Sequence, residues 1–374
     1  MKEQNTPSLS AYYLCMIVAF IGILLSFLLF HLVDLSIETS LAPTCYDGSV
    51  IEGESFAQCF IRDIYQGRTS LALIKEHQYR LFGTVSNASV VAGNDGFLFE
   101  VSDPDSDYHY FEDYKGRLSF SDEELAAILE SLEATRLAYA ERDTEYLLVI
   151  LPNAQSVYSN NMPFYMGEIS DNTRLSALED YLLEHGFTSF ANLTDELREY
   201  KKNGQLYNNT DNSLNALGFY YAYLCVCARF DESVMENTEI LQYDKSNFYQ
   251  HTTTGKEIAQ LAGLESVVQN NTVSLSSATK LHYRFVWDTG SAAKSFLPHF
   301  NFSVDVASSP ALLIQCTDPW VRAQIEPFFS NTFRHVTYQT DLVDDPEIFE
   351  RAAPRVVIRF VQENDLATLL DAND

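Results

Sequence analysis

Two short stretches carry the side chains with the clearest chemical potential. One is Tyr207-Asn208-Asn209-Thr210-Asp211-Asn212-Ser213-Leu214-Asn215, and the other is Leu312-Leu313-Ile314-Gln315-Cys316-Thr317-Asp318-Pro319-Trp320. Asp211 and Asp318 could orient a base or hold a proton, Ser213 offers a hydroxyl, and Cys316 offers a thiol. A hydroxyl cannot serve as a base near neutral pH, and Cys316 has no histidine placed beside it by any motif. His109, His185, His251, His282, His299 and His335 are scattered. The plainer reading is that Asp211 and Asp318 cap the helices that follow them and that Cys316 is a buried structural thiol. No Cys/His pattern has zinc spacing and no phosphate-binding glycine motif occurs, so no metal or cofactor is expected.

These residues sit at the ends of a recognisable series of elements. Ser121 and Glu124 form a capping box ahead of a helix over 121–142, in which Leu125, Ile128, Leu129 and Leu132 keep helical spacing. Tyr146–Leu151 is a short, wholly apolar run ended by Pro152, as a strand buried on both faces would be. Ala311–Ile314 and Arg355–Phe360 read the same way, and helices are expected at about 172–185, 213–230, 320–333 and 346–352. Apolar strands alternating with helices predict an α/β fold, a mainly parallel sheet covered on both faces. Pro152, Asp211 and Asp318 then fall on one rim, beyond the carboxyl ends of the strands, where such sheets bind ligands. Residues 231–308, rich in Ser, Thr and Asn, are expected to be an irregular insertion.

The flanking sequence bounds the setting. The run 11–33 carries no charge, and as a helix it would span about 34 Å, enough for a hydrocarbon core. It is longer than a signal-peptide core, so an uncleaved single-pass anchor is expected. Lys2 is the only basic residue ahead of it and none follows until Arg62, which favours residues 1–10 in the cytoplasm and the main domain in an extracytoplasmic, periplasmic space. Residues 34–87 form a stalk, and 88–370 form the domain. Cys45 and Cys59 could close a loop in an oxidising compartment. The 374-residue chain has 52 acidic against 24 basic residues, a formal net charge of −28. That surface repels nucleic acid, anionic headgroups and polyanionic glycans.

Taken together, several blocks resemble the AlgJ/AlgX-type and DHHW-type proteins, SGNH-hydrolase-like proteins linked to O-acetylation of exopolysaccharides. Val91–Phe99 looks like V-x-G-x-D-G-W-L-F, and Asp113-Tyr114-Lys115-Gly116 is similar to D-Y-x-G. Leu151-Pro152-Asn153, Val157-Tyr158 and Met162-Pro163 look like P-N-K-x-x-I-Y-P-x-x-L-P. Tyr207–Gly218 resembles L-Y-x-x-T-D-x-H-W-x-x-x-G, and Thr254–Leu264 resembles G-D-L-x-x-x-x-G-L. Pro354–Ile358 and Glu363 echo P-D-V-V-I and its E-R.

The resemblance implies acyl transfer: a serine attacks an acetyl carbonyl, a histidine takes its proton, an aspartate orients the histidine, and backbone donors hold the oxyanion. Asp211 holds the orienting position, but Ser213 stands at the histidine and Leu214 at the tryptophan. At the nucleophile, one register places Asp318 on the serine. The other places Pro319 there with Trp320 on the aromatic, and keeps family-like spacing to Pro327-Phe328-Phe329. Serine is absent in both, and Ala154 replaces the lysine of P-N-K.

Three functions follow as expectations. The first is a catalytically degenerate, membrane-anchored protein that binds a polysaccharide, with Tyr158, Tyr207 and Trp320 stacking on sugar rings. The second is an active O-acetyltransferase or acetylesterase with a displaced catalytic group, its histidine drawn from 231–308. The third is a structural envelope protein that binds other proteins through its acidic surface.

Overall fold

The computed structural model describes residues 21–22, 68–102, 109–236, 238–285, 299–303, 309–340 and 346–370. The chain divides into two compact units, Met1–Ile74 and Lys75–Asp374. The expected anchor, apart from Ile21 and Gly22, and the Cys45/Cys59 pair lie outside the described residues. Among the described residues no helix is long and apolar enough to cross a membrane. The candidate site lies wholly in the second unit.

Eleven strands are described in all: β1 (Val90–Ala92), β2 (Leu98–Glu100), β3 (Glu145–Leu151), β4 (Phe190–Asn192), β5 (Phe248–Thr254), β6 (Gln269–Leu275), β7 (Arg284–Phe285), β8 (His299–Ser303), β9 (Ala311–Gln315), β10 (His335–Gln339) and β11 (Val356–Gln362). Seven of them form one sheet in the order β4-β3-β11-β9-β10-β8-β7. The first five run parallel, and β8 and β7 close the edge antiparallel. The sheet is mainly parallel, as the sequence pattern predicts, and its central strands are apolar on both faces because both faces are covered.

Side-chain alternation divides the core in two. Leu147, Val149 and Leu151 of β3, with Leu312 and Ile314 of β9, pack under the helices Ala216–Cys227 and Pro319–Thr332. Tyr146, Leu148 and Ile150 pack on the other face, under Asp122–Ala140, Arg174–Glu184 and Pro346–Ala352. The capping box forms: Glu124 N donates to Ser121 Oγ at 3.2 Å, and Ser121 N donates to Glu124 Oε2 at 2.7 Å.

The segment 231–308 is more regular than its composition suggests. Threonine-rich β5 pairs antiparallel with β6 along seven positions, and β7 and β8 join the main sheet. Only Asn270 and Val273 of this ribbon are buried, so its mostly polar, half-exposed residues look like loop in sequence. The helix Glu257–Ala262 packs with β1 and β2 in a small third core.

Candidate functional site

The 207–215 stretch is a tight turn and not the start of a helix. Tyr207 bridges Leu214, and Asn208 N donates to Ser213 O at 3.1 Å. The helix begins only at Ala216, where Asn215 Oδ1 accepts from Leu217 N at 3.0 Å and Gly218 N at 3.1 Å. Asn215, not Asp211, is therefore the cap. A side chain at Gly218 would fall on the Leu206 carbonyl and on Leu214, so only glycine lets the helix sit this close to the turn.

Asp211 is left at the tip of the turn, where its Oδ1 accepts from Ser213 N at 3.1 Å. The Ser213 hydroxyl accepts from Asn208 Nδ2 at 2.9 Å. Burial raises the Asp211 carboxyl above its ordinary range, and the Asp318 charge adds to this. Hydrogen bonds from Ser213 and the charge of Lys256 work against it.

Asp318 follows β9 and caps the helix Pro319–Thr332. Its Oδ1 accepts from Trp320 N at 2.7 Å and Val321 N at 3.4 Å, and its Oδ2 accepts from Gln362 Nε2 at 2.9 Å. Pro319 fits at the first helical position because no amide hydrogen is needed there. Asp365, half-buried beyond β11, is raised by burial and by the Asp318 charge. Both Asp211 and Asp365 thus feel the Asp318 charge, and the Lys256 charge reaches Asp211. Among the described residues no set of three His, Cys, Asp or Glu side chains is arranged to hold a metal ion.

The other sequence candidates divide sharply. Trp320 is 48% exposed and its ring is open to solvent. Tyr158 and Tyr207 are core residues, which corrects the expectation that they stack on sugars. Tyr158 OH accepts from Leu206 N at 2.9 Å, and Tyr207 OH donates to Pro152 O. Their rings pack on each other edge to face at 5.9 Å, and Phe97 stacks on Tyr158 at 4.7 Å. Cys316 is buried and its thiol is pushed up to about 12 by burial, so it holds its proton at any physiological pH.

Sequence reasoning missed Gln362, Asp365 and Lys256 at the rim, because polar residues just after strands look like ordinary turn residues. It also missed Phe164 and Tyr165, which stand out from the loop after Pro163 at 94% and 60% exposure. Two bare aromatics directly after a Met-Pro turn were the available signal.

Glu363 supports the rim from below. It is 2% exposed; its Oε2 accepts from Asn153 N at 2.6 Å and its Oε1 from Ser156 Oγ at 2.8 Å. Burial, with the Asp113 charge second, pushes this carboxyl up to about 7, against the hydrogen bonds and Arg198. The carboxyl end of β11 is thereby tied to the turn that follows β3.

No family model matches the sequence, and no curated protein matches it. Solved structures do. PatB1 from Bacillus cereus, also solved with a sulfonyl adduct, is 11% identical with a TM-score of 0.50, covering 74% of this chain and 95% of that one. A DHHW family protein from Eubacterium siraeum is 13% identical with a TM-score of 0.50, covering 75% and 94%. The O-acetyltransferase domain of Pseudomonas putida AlgJ is 12% identical with a TM-score of 0.45, covering 75% and 92%. Mainly parallel strands under helices on both faces, with the candidate residues on the carboxyl rim, make this a mainly parallel α/β fold shared with PatB1 and the DHHW family protein.

Proposed function

We propose that this chain is a catalytically silent relative of O-acetylating SGNH-like proteins, anchored by residues 11–33 with its domain outside the cytoplasm, and that it binds an uncharged glycan. One observation carries this reading. The Asp318 carboxylate is seated on the Trp320 and Val321 amides at the start of its helix, where a hydroxyl nucleophile would be wanted. Aspartate there can neither attack as a serine does nor leave those donors free for an oxyanion. Ser213, at the expected base, is neutral at working pH and tied to Asn208.

The rim favours an uncharged ligand. The Asp318 carboxylate with Asp211 and Asp365 around it, on a chain of net charge −28, repels a uronate polymer such as alginate. The exposed Trp320 ring, held at the first turn of its helix, offers an apolar face to a sugar ring.

Binding of the full-length chain to a panel of neutral and acidic glycans tests the reading. A neutral glycan is expected to bind, with Trp320→Ala weakening it about tenfold, near the 1.4 kcal/mol of one aromatic contact. No binding across the panel would sink the glycan reading; salt-sensitive capture of an envelope protein would replace it.

A further inference from the structure

β5 pairs with β6 alone, and the bonds that β6 makes on its far side show which way the β5 backbone points. Asn271 N donates to Asn209 Oδ1, and Asn271 O accepts from Gln205 Nε2 at 2.9 Å. Both main-chain groups of Asn271 therefore point away from β5. In an antiparallel ladder the residue opposite then points its own N–H and C=O the other way, and the pattern repeats at every second residue. Thr252 lies opposite Asn271, so Gln250, Thr252 and Thr254 aim their main-chain groups off the outer edge of the ribbon. Among the described residues no main-chain hydrogen bond from another segment reaches these three from that side.

Edge strands are normally guarded by shortness, proline or charge. The main sheet follows that rule: its edges are β4, of three residues, and β7, of two residues including Arg284. β5 does not. It runs for seven residues and contains no proline and no Asp, Glu, Lys or Arg. Gln250, Thr252 and Thr254 are exposed, and so is the Tyr249 ring, at 49%. On a chain of net charge −28, this neutral edge is a strip where a like-charged copy can approach without charge on either facing strand. A charged peptide would find no opposite charge along it.

We propose that β5 pairs antiparallel with β5 of a second copy of this chain, giving a two-fold dimer with one continuous ribbon in the order β6-β5-β5-β6. Such a contact uses the same patch on both copies. The outward groups set its register. Gln250 of each copy must lie opposite Thr252 of the other for both to exchange N–H···O=C bonds. That register puts His251 on the two-fold axis, opposite itself, and Tyr249 opposite Thr253 on the same face. The rest of both surfaces carries like charge, so the dimer should tighten as salt screens it.

Sedimentation of the full-length chain in detergent, at about 50 μM protein and in low and high salt, reads the assembly. A dimer is expected, tighter in high salt. Gln250→Pro should weaken it at least about tenfold, because the lost N–H and the added ring fall on the outer edge and spare the bonds to β6. Thr252→Lys, which keeps every main-chain group, should weaken it too. Disulfide trapping reads the register. His251→Cys, about 4.5 Å from its own copy between Cα atoms, should crosslink on mild oxidation. Tyr249→Cys, well out of register with itself, should crosslink no more than the parent chain. A monomer in both salts, a dimer unmoved by either edge substitution, or equal crosslinking at positions 249 and 251 would overturn the proposal.

Discussion

Replacing Glu363 by alanine should cost about 4 kcal/mol of folding stability. The substitution strips the acceptors from two buried donors, Asn153 N and Ser156 Oγ, and opens a cavity where the side chain is 2% exposed. Each orphaned buried donor costs about 1–3 kcal/mol, and a lost buried network reaches about 3–5. The same carboxyl gives the protein an unusual pH dependence. Its folded value is pushed up from 4.5 to about 7. The folded state therefore binds the proton more tightly than the unfolded chain. That contribution is complete below pH ~4.5 and is lost as pH rises to ~7, a fall of about 3 kcal/mol. Asp211, Asp365 and Glu179 are raised by burial too and act in the same direction. Urea unfolding at pH 5 and pH 8 should thus show the protein more stable in acid. Glu363→Gln, neutral at every pH and still able to accept from Asn153 N, should flatten the slope and match or exceed the wild type at pH 8. An unchanged slope in Glu363→Gln would remove Glu363 as its source.

Asn209→Ala should cost about 3 kcal/mol. Asn209 is 2% exposed and joins three segments through one side chain. Its Nδ2 donates to Gly96 O at 2.7 Å and Gln269 O at 3.1 Å, and its Oδ1 accepts from Asn271 N. Its own carbonyl accepts from Leu98 N at 2.7 Å. Alanine removes three hydrogen bonds to partly buried groups, the Gly96 and Gln269 carbonyls and the Asn271 amide, each a loss of about 1 kcal/mol. Asn209→Asp should be no milder at pH 8, because a carboxylate oxygen would then face the Gly96 and Gln269 carbonyls. Urea unfolding at pH 7 measures both; a loss under about 1 kcal/mol for Asn209→Ala would show that the three segments hold without this link. The expected consequence for the site is direct, since Asn209 lies two residues before Asp211 and fixes where the turn sits.

The framework was legible because it rests on local physics. A capping box, a six-residue apolar run stopped by proline and a late Val-Val-Ile run each declare their element without reference to distant residues. The interior of the site was not. That Asn215 and not Asp211 caps its helix depends on the bridge between Tyr207 and Leu214, a pairing with no periodic signal. Tyr158 and Tyr207 looked like sugar platforms because they flank motif residues. Their hydroxyls are spent on Leu206 N and Pro152 O, which only the fold brings near. Glu363 binds Asn153 from 210 positions away. The strand order, which the sequence does not show, places Arg359 at the centre of the sheet.

We propose that the rim holding Asp211 and Asp318 performs no acyl transfer. Acetyl-ester turnover by the full-length chain, measured beside its Asp211→Ala variant, tests this most directly. No turnover above the uncatalysed rate is expected in either protein. Turnover that is present in the wild type and lost in Asp211→Ala would contradict it, and would place a working catalytic group on that rim.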